Sequence, residues 1–286
     1  MRARGSVQDR EYRMTTDSLK VNEAGKSGRV DVLGLAMDNV SFEEAVDRIV
    51  GFIENREPVF IVTPNVDHTN HHRRHEKYRR LLKDAALVVA DGVPLLWAAR
   101  LFGHRLKGRV NGTDLFVRVA EVCAERGYGM FLLGAMPRAS RYCAVRLIDS
   151  NPRLRIVGRY CPPYGFEHDP EETRKILRMV REARPDILFV GLPGPKAEFW
   201  IYDHYREAGV PVSINVGASF DFVSGGVRRA PLIMQKLGLE WLYRLITQPK
   251  KLWKRYLLGN SVFLLRVFAR FAGCVLRRLT RRAPRR

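Results

Sequence analysis

The sequence predicts an α/β fold, a doubly wound, Rossmann-like sheet with helices on both faces, followed by a basic amphipathic helical appendage at the C-terminus. Two observations support this prediction. Short apolar runs rich in β-branched residues, typical of buried parallel strands, alternate along the chain with amphipathic helical segments. In addition, 46% of the 286 residues are hydrophobic, which is enough to bury one large core.

The predicted elements follow one another between turn formers and helix caps. The predicted strands lie at 30–35, 58–62, 87–90, 129–134, 154–160, 186–191 and 212–216. The predicted helices lie at 42–55, 66–84, 137–150, 171–184, 196–208 and 230–247, with two more after Pro94 and after Asn111. The helix at 42–55 begins at a capping box, Ser41-Phe42-Glu43-Glu44, whose Ser and Glu side chains satisfy free N–H groups.

Composition divides the chain into three parts. We expect residues 1–28 to be a disordered leader, because they are polar, mixed in charge and lack the apolar core of a signal peptide. Residues 29–248 are predicted to form the α/β domain, and residues 249–286 a basic tail. No stretch of the sequence reaches the roughly 18 uncharged apolar residues that a membrane-spanning helix needs.

The formal net charge of +20 calls for an anionic partner, and its distribution indicates which one. From Glu240 onward, thirteen Lys or Arg residues stand against one acid. An apolar stripe (Leu264, Phe268, Phe271, Val275 and Leu279) lies largely opposite four arginines (Arg266, Arg270, Arg277 and Arg281). This pattern predicts a helix on an anionic bilayer surface, and a helix packed on the domain or on a partner is the alternative.

Neither the cysteines nor the histidines indicate a metal site. Cys123 and Cys143 fall in apolar helical patterns and are predicted to be small core residues, and the four cysteines show no CxxC pairing. Four histidines share one face of a predicted helix, but five Lys or Arg neighbours oppose metal capture (His68, His71, His72 and His75). No Asp-x-Asp clamp occurs. We therefore expect a metal-independent site without a cofactor.

Three short signatures place polar groups where strands end. Thr63-Pro64-Asn65 closes one apolar run, Asp91-Gly92 closes a second, and Arg109 to Asp114 opens a helix. Open α/β sheets bind ligands at the carboxyl ends of their strands. Asp91 is therefore a candidate general base, although an Asp-Gly pair on its own also fits a plain turn.

Together with four later blocks, these signatures resemble the WecG/TagA/CpsF glycosyltransferase family over about residues 31–256. The blocks are Thr63-Pro64-Asn65, Ala90-Asp91-Gly92, Arg109-Val110-x-Gly112-Thr113-Asp114-Leu115, Phe131-Leu132-Leu133-Gly134, Gly191-x-Pro193-x-Pro195-Lys196-x-Glu198-x-Trp200-Ile201, Val216-Gly217-Ala218-x-Phe220-Asp221 and Gly238-Leu239-Glu240-Trp241-Leu242-Tyr243-Arg244-Leu245. Members transfer a sugar from a nucleotide diphosphate donor to a polyprenyl-diphosphate-linked acceptor at the cytoplasmic membrane face. The sugar is N-acetylmannosamine, its uronic acid or glucose.

The resemblance implies a role for each matching residue. Asp91 is the base, Thr63 and Asn65 line its pocket, and Arg109 lies near the diphosphate. Gly112 and Asp114 belong to the same block, although Asp114 also suits a helix dipole.

Two later regions complete the expected site. Three residues of the strand-to-helix block are expected to bind substrate (Gly191, Lys196 and Glu198). Most family members have Gln where this chain has Ala197. Three basic residues match an appendage that is thought to dock on the membrane and are expected to contact diphosphate or membrane (Arg244, Lys251 and Lys254).

The sequence thus predicts an inverting, metal-independent glycosyltransferase that uses a UDP-sugar and a polyprenyl-diphosphate-linked acceptor in cell-surface or exopolysaccharide biosynthesis. It is expected to be cytoplasmic and peripheral on the inner face of the bacterial membrane. Some family members self-associate, and the sequence leaves open whether this chain forms a homo-oligomer. The alternative is a basic nucleic-acid-binding or phosphate-binding protein without transferase activity. No nucleic-acid recognition motif and no dinucleotide fingerprint appear, so neither nucleic acid nor NAD is expected as a partner.

Overall fold

A computed structural model describes residues 28–253 and 259–281. The predicted leader was residues 1–28, and all of it except Gly28 lies outside this part of the chain. The strands are β1 Arg29–Val32, β2 Leu35–Asp38, β3 Val59–Val62, β4 Leu87–Val88, β5 Gly129–Gly134, β6 Arg155–Tyr160, β7 Ile187–Gly191 and β8 Val212–Asn215. β1 and β2 form an antiparallel pair. The other six form one parallel sheet in the order β4-β3-β8-β7-β5-β6, so their carboxyl ends share one edge.

Helices connect the strands and cover both faces of the sheet. They are α1 Phe42–Asn55, α2 Val66–Arg74, α3 Glu76–Asp84, α4 Val93–Leu101, α5 Gly112–Arg126, α6 Pro137–Ser150, α7 Pro170–Ala183, α8 Lys196–Ala208, α9 Ser219–Val223, α10 Leu232–Lys236, α11 Glu240–Thr247, α12 Pro249–Trp253 and α13 Gly259–Arg281, with a short 3-10 helix at Phe166–His168. α3, α4, α7 and α8 pack on one face, and α1, α5, α6 and α9 pack on the other.

The strands are apolar on both sides because both sides of the sheet are buried. In β7, Leu188 and Val190 belong to one core cluster, whereas Ile187 and Phe189 belong to the other. Successive strand residues point to opposite faces, so a strand covered on both sides is a continuous apolar run. The doubly wound α/β prediction is therefore confirmed.

Several local predictions are confirmed. Ser41 Oγ accepts from the N–H of Glu44, and the Glu44 carboxylate accepts from the N–H of Ser41 at 2.8 Å, which completes the capping box. α8 has the predicted bounds. Cys123 and Cys143 are fully buried, and burial raises the pKa of each thiol to about 12, as expected for inert core residues.

Two predicted elements are interrupted by turns. The strand predicted at 30–35 is a hairpin, because Leu33 and Gly34 both have positive φ and reverse the chain between β1 and β2. The helix predicted at 230–247 is broken after α10 by Gly238 at φ +71, where a Cβ would lie 2.7 Å from Val93. Only glycine combines this backbone conformation with so close an approach.

The prediction of a single helix at 66–84 is also wrong. His75 is extended, with φ −122 and ψ 115, and it separates α2 from α3. The guanidinium of Arg79 donates to the carbonyl oxygens of His72 and Arg73, which are left without helical partners by the break. The sequence shows no proline or glycine here, so tertiary packing, not local propensity, decides the break.

The C-terminal helix α13 packs against the domain with its arginine side. Phe263 is buried, and Arg266 donates to the carbonyl oxygens of Thr69 and Leu33 at 3.1 and 3.3 Å. Its opposite face is apolar and exposed, with Leu264, Leu265 and Phe268 each more than 60% accessible. The outer stripe beyond Phe271 (Val275 and Leu279) lies among side chains that the structure does not describe, as do Arg277 and Arg281. No described helix is long and apolar enough to cross a membrane.

Candidate active site

Asp91 lies at the carboxyl edge of the sheet, between β4 and α4. Its N–H donates to the carbonyl oxygen of Pro64 at 2.9 Å, which ties the loops after β3 and β4 together. Its Oδ1 accepts from Asn111 Nδ2 at 2.7 Å and from the N–H of Gly112 at 3.3 Å. Both of these bonds end on Oδ1, so Oδ2 is the oxygen of Asp91 that they leave for another partner.

The surroundings of Asp91 raise its pKa. Burial is the main cause, because a low-dielectric environment disfavours the charged carboxylate. The guanidinium of Arg109 acts in the opposite direction, and the negative charge of Glu240 again raises the pKa. A carboxylate whose pKa is raised holds a proton more firmly, which is the property a general base needs.

Thr63 and Asn65 lie beside the Asp91 loop. A Cβ on Gly112 would lie 3.5 Å from Thr63 Oγ1, and a Cβ on Gly92 would lie 3.7 Å from the Asn65 Cβ. Asn65 is the N-cap of α2, and its Oδ1 accepts from the N–H of Asp67 at 3.0 Å. The structure therefore brings the three strand-end signatures together.

Arg109 is half buried and already has partners. Its Nε donates to the Asp91 carbonyl oxygen at 2.9 Å, one Nη donates to the Gln235 carbonyl oxygen at 3.1 Å, and the other donates to Glu240 at 3.0 Å. Asp91, Gln235 and Glu240 come from the α4 loop, α10 and α11. Arg109 thus links the C-terminal helices to the Asp91 loop.

Arg229 is a second guanidinium at this edge, and sequence reasoning missed it. It donates to both carboxylate oxygens of Asp114 and, at 3.0 Å, to Asn111 Oδ1. Its Nε is 3.7 Å from Glu240, so Glu240 lies between two arginines. Asp114 therefore has a role besides its place near the dipole of α5. It holds Arg229 beside Asn111, which hydrogen-bonds Asp91.

Glu198 forms a buried pair with His68. His68 Nδ1 lies 2.9 Å from the backbone N of Asn65 and 3.0 Å from Asn65 Oδ1, and Nε2 lies 3.2 Å from Glu198 Oε1. Burial on its own raises the pKa of Glu198, but the hydrogen bond and electrostatic attraction of His68, with the nearby Asn215 amide, outweigh it and hold that pKa below its usual value. His68 connects Glu198 to Asn65 and hence to the Asp91 loop.

The other residues of the strand-to-helix block have different surroundings. Gly191 ends β7, and a Cβ there would lie 2.7 Å from the Phe220 ring. Ala197 is buried in the core. Lys196 is exposed, pairs with Glu167 and stands over the Tyr164 ring. The contacts of Lys196 thus lie outside the group around Asp91.

The three basic residues of the C-terminal segment are described to different extents. Arg244 lies on α11, one turn after Glu240, and its guanidinium stands 5.3 Å from the centre of the Phe222 ring. Lys251 lies on α12, but its side chain is outside the described part of the chain, as is the whole of Lys254.

The histidines of α2 are separated by their environments. His68 is buried and bonded to Glu198, whereas desolvation lowers the pKa of His71 to about 4. His75 lies at the break before α3. Within residues 28–253 and 259–281, no group of three or more His, Cys, Asp or Glu side chains is arranged to hold a metal ion.

One of the missed residues had a signal in the sequence. Asn65 and His68 are three residues apart at the start of α2, the spacing of a capping box. This spacing predicts that the His68 ring turns back towards Asn65. Arg229 and Glu240 had no comparable signal, because their hydrogen-bond partners Asp114 and Arg109 are more than 100 residues away.

Comparison with known proteins places these features in context. Residues 30–274 match the model of the Glycosyl transferase WecG/TagA/CpsF family. Similar proteins include the N-acetylglucosaminyldiphosphoundecaprenol N-acetyl-beta-D-mannosaminyltransferases of Staphylococcus aureus strains NCTC 8325, COL and MRSA252. Each is 29% identical to this chain over 239 residues, which cover 83% of this chain and 90% of the relative.

Proposed function

The chain belongs to the WecG/TagA/CpsF glycosyltransferase family and is a glycosyltransferase, and on that premise we propose that it transfers a sugar from a UDP-sugar to a polyprenyl-diphosphate-linked acceptor. The name of the Staphylococcus relatives supports this acceptor class, with N-acetylmannosamine as the first sugar to test. Family membership decides against the alternative of a basic binding protein without transferase activity.

The observation that carries the proposal is the environment of Asp91. A partly buried carboxylate with a raised pKa is held by Asn111 and Gly112 through one oxygen, which leaves the other for the acceptor hydroxyl. In the proposed step, Asp91 takes the hydroxyl proton while the acceptor oxygen bonds to the anomeric carbon and the bond to the UDP leaving group breaks. Attack from the face opposite to UDP inverts the anomeric configuration.

The leaving diphosphate needs positive charge, and this edge of the sheet provides it. The carboxylate of Glu240 lies between the guanidinium groups of Arg109 and Arg229. Its position is therefore one where two guanidinium groups can hold an anion. We propose that diphosphate oxygens replace Glu240 as the partner of Arg109, with Arg244, Lys251 and Lys254 as further contacts. Thr63, Asn65, Gly112 and Asp114 would shape the same pocket. Gly191, Lys196 and Glu198 remain candidates for substrate contacts at the neighbouring strand end.

This mechanism requires no metal ion, because the charge of the leaving group is met by guanidinium groups. The decisive test is UDP release from a panel of UDP-sugars in the presence of EDTA, with a synthetic polyprenyl-diphosphate-linked N-acetylglucosamine as acceptor. We expect UDP release that depends on the acceptor. Release that is absent for every donor, or that needs added divalent metal, would overturn this form of the proposal.

We further propose that the protein works at the inner face of the bacterial membrane. The exposed apolar face of α13 supports this location, because Leu264, Leu265 and Phe268 are free to enter the boundary between headgroups and acyl chains. Truncation after Pro249 should abolish co-flotation with vesicles that contain phosphatidylglycerol. If the truncated protein floats as the full chain does, α13 is not the anchor.

A further inference from the structure

A second cationic site lies away from Asp91, in a pocket between α2, α3, α13 and the β1–β2 turn. The pocket is an open cleft with a volume of about 570 Å³. Its lining includes Gly34, His72 and four arginines (Arg73, Arg79, Arg266 and Arg270). Of the residues that carry the proposed transfer, none is in this lining.

Four guanidinium groups meet in the pocket with little compensation. Arg270 has a carboxylate partner, Asp31 at 3.1 Å. Arg79 donates to the carbonyl oxygen of His72 near the C-terminal end of α2, where the helix dipole amounts to about half a negative charge, and Arg266 donates to the carbonyl oxygens of Thr69 and Leu33. Among the described residues, four positive charges therefore face one carboxylate and a partial charge, which leaves a positive excess.

The like charges affect one another. Burial lowers the pKa of Arg266, and the nearby charges of Arg73 and Arg270 lower it further. Burial and the charges of Arg79 and Arg266 lower the pKa of His72, against the charge of Asp31, which raises it. An anion in the pocket would relieve this repulsion, and the His72 ring would offer it an N–H donor.

Three of the four arginines are also held in place before any ligand arrives. Hydrogen bonds to backbone carbonyl oxygens hold Arg79 and Arg266, and the Phe102 ring supports Arg270 at 5.1 Å. A Cβ on Gly34 would lie 2.4 Å from the His72 ring, so the turn closes directly over that ring. Groups that are held in this way lose little conformational freedom on binding.

We propose that this pocket binds a phosphate group, independently of the sugar-transfer site. Phosphate fits because guanidinium groups bind its oxygens in pairs. Two sources share this chemistry. One is the headgroup of an anionic phospholipid, which is favoured by the exposed apolar face of α13 next to Ala269, and the other is free phosphate or pyrophosphate.

The test compares Arg73→Gln with Arg74→Gln in the full-length protein. Both residues are exposed on α2 and both changes remove one positive charge, but Arg74 is outside the pocket lining. Binding is measured to vesicles of phosphatidylcholine with and without phosphatidylglycerol, and to inorganic phosphate and pyrophosphate by calorimetry. Arg73→Gln should weaken binding by about tenfold, as expected for loss of a charge-assisted contact, and Arg74→Gln by less than about twofold.

The pattern across probes identifies the source. If Arg73→Gln weakens binding to anionic vesicles alone, the ligand is a lipid headgroup; if it weakens binding to phosphate in solution, the ligand is the free anion. Equal effects of both variants on every probe would overturn the proposal, because diffuse charge attraction would then explain the binding. At the same phosphate concentration, the melting temperature should also rise less in Arg73→Gln than in the wild type and in Arg74→Gln.

Discussion

The regions around Asp91 and Glu198 lie at the same edge of the sheet, yet they shift the pKa of a carboxylate in opposite directions. Burial raises the pKa of Asp91 more than the guanidinium of Arg109 lowers it, and the negative charge of Glu240 raises it further. Glu198 is bonded to His68, and its pKa falls in spite of burial. Burial alone therefore does not make a base, and the partner decides which carboxylate is suited to accept a proton.

The most direct test of this comparison is to replace each carboxylate by its amide. Asp91→Asn should lower kcat by about a hundred- to ten-thousandfold, the range expected for loss of a general base. The UDP-release assay measures this effect, and circular dichroism of the same sample shows whether the fold is intact. If Asp91→Asn retains turnover close to that of the wild type, Asp91 is not the base.

The same two variants should differ in stability, with opposite signs. The pKa of Glu198 is lowered, so its ionised form stabilises the fold above the unfolded pKa of about 4.3, and this contribution is lost as pH falls through the folded pKa. Glu198→Gln should therefore reduce the free energy of unfolding at pH 7 by about 2 kcal/mol, the size of a hydrogen bond to a charged group.

For Asp91 the sign is reversed. Its pKa is raised, so stability is lost as pH rises through the folded pKa, and Asp91→Asn should raise the free energy of unfolding at pH 7. Urea titrations at pH 7 and at pH 4 would measure both variants. A loss of stability in Asp91→Asn at pH 7 would show that Asp91 is a structural residue like Glu198.

The smallest expected effect is on the pH dependence of kcat/KM. Arg109 lowers the pKa of Asp91 and Glu240 raises it, so the acid limb should move to higher pH in Arg109→Gln and to lower pH in Glu240→Gln. The opposite directions provide an internal control, since general damage to the site would not separate them. If both variants move the acid limb in the same direction, a group other than Asp91 titrates there.

The sequence predicted the parts of this site that are local and missed the parts that are distant. Thr63, Asn65 and Asp91 each follow an apolar strand, so the parallel sheet alone brings them to one edge. The contacts of Arg229 and Glu240 depend on the path of the chain after β8, which no periodicity in the sequence predicts. The break at His75 was missed for the same reason, whereas Gly238 was a visible signal of a break.

The packing of α13 on α2 has a consequence for the length of the acceptor. Arg266 joins α13 to the carbonyl oxygen of Thr69, and α2 runs from there to Asn65 beside the Asp91 loop. If α13 lies flat on a bilayer, the packing of α13 on α2 fixes the distance between Asp91 and the lipid headgroups. An acceptor hydroxyl held closer to the lipid, or farther from it, than this height would not reach the Asp91 carboxylate. The fold would therefore select acceptors by the length of their head group.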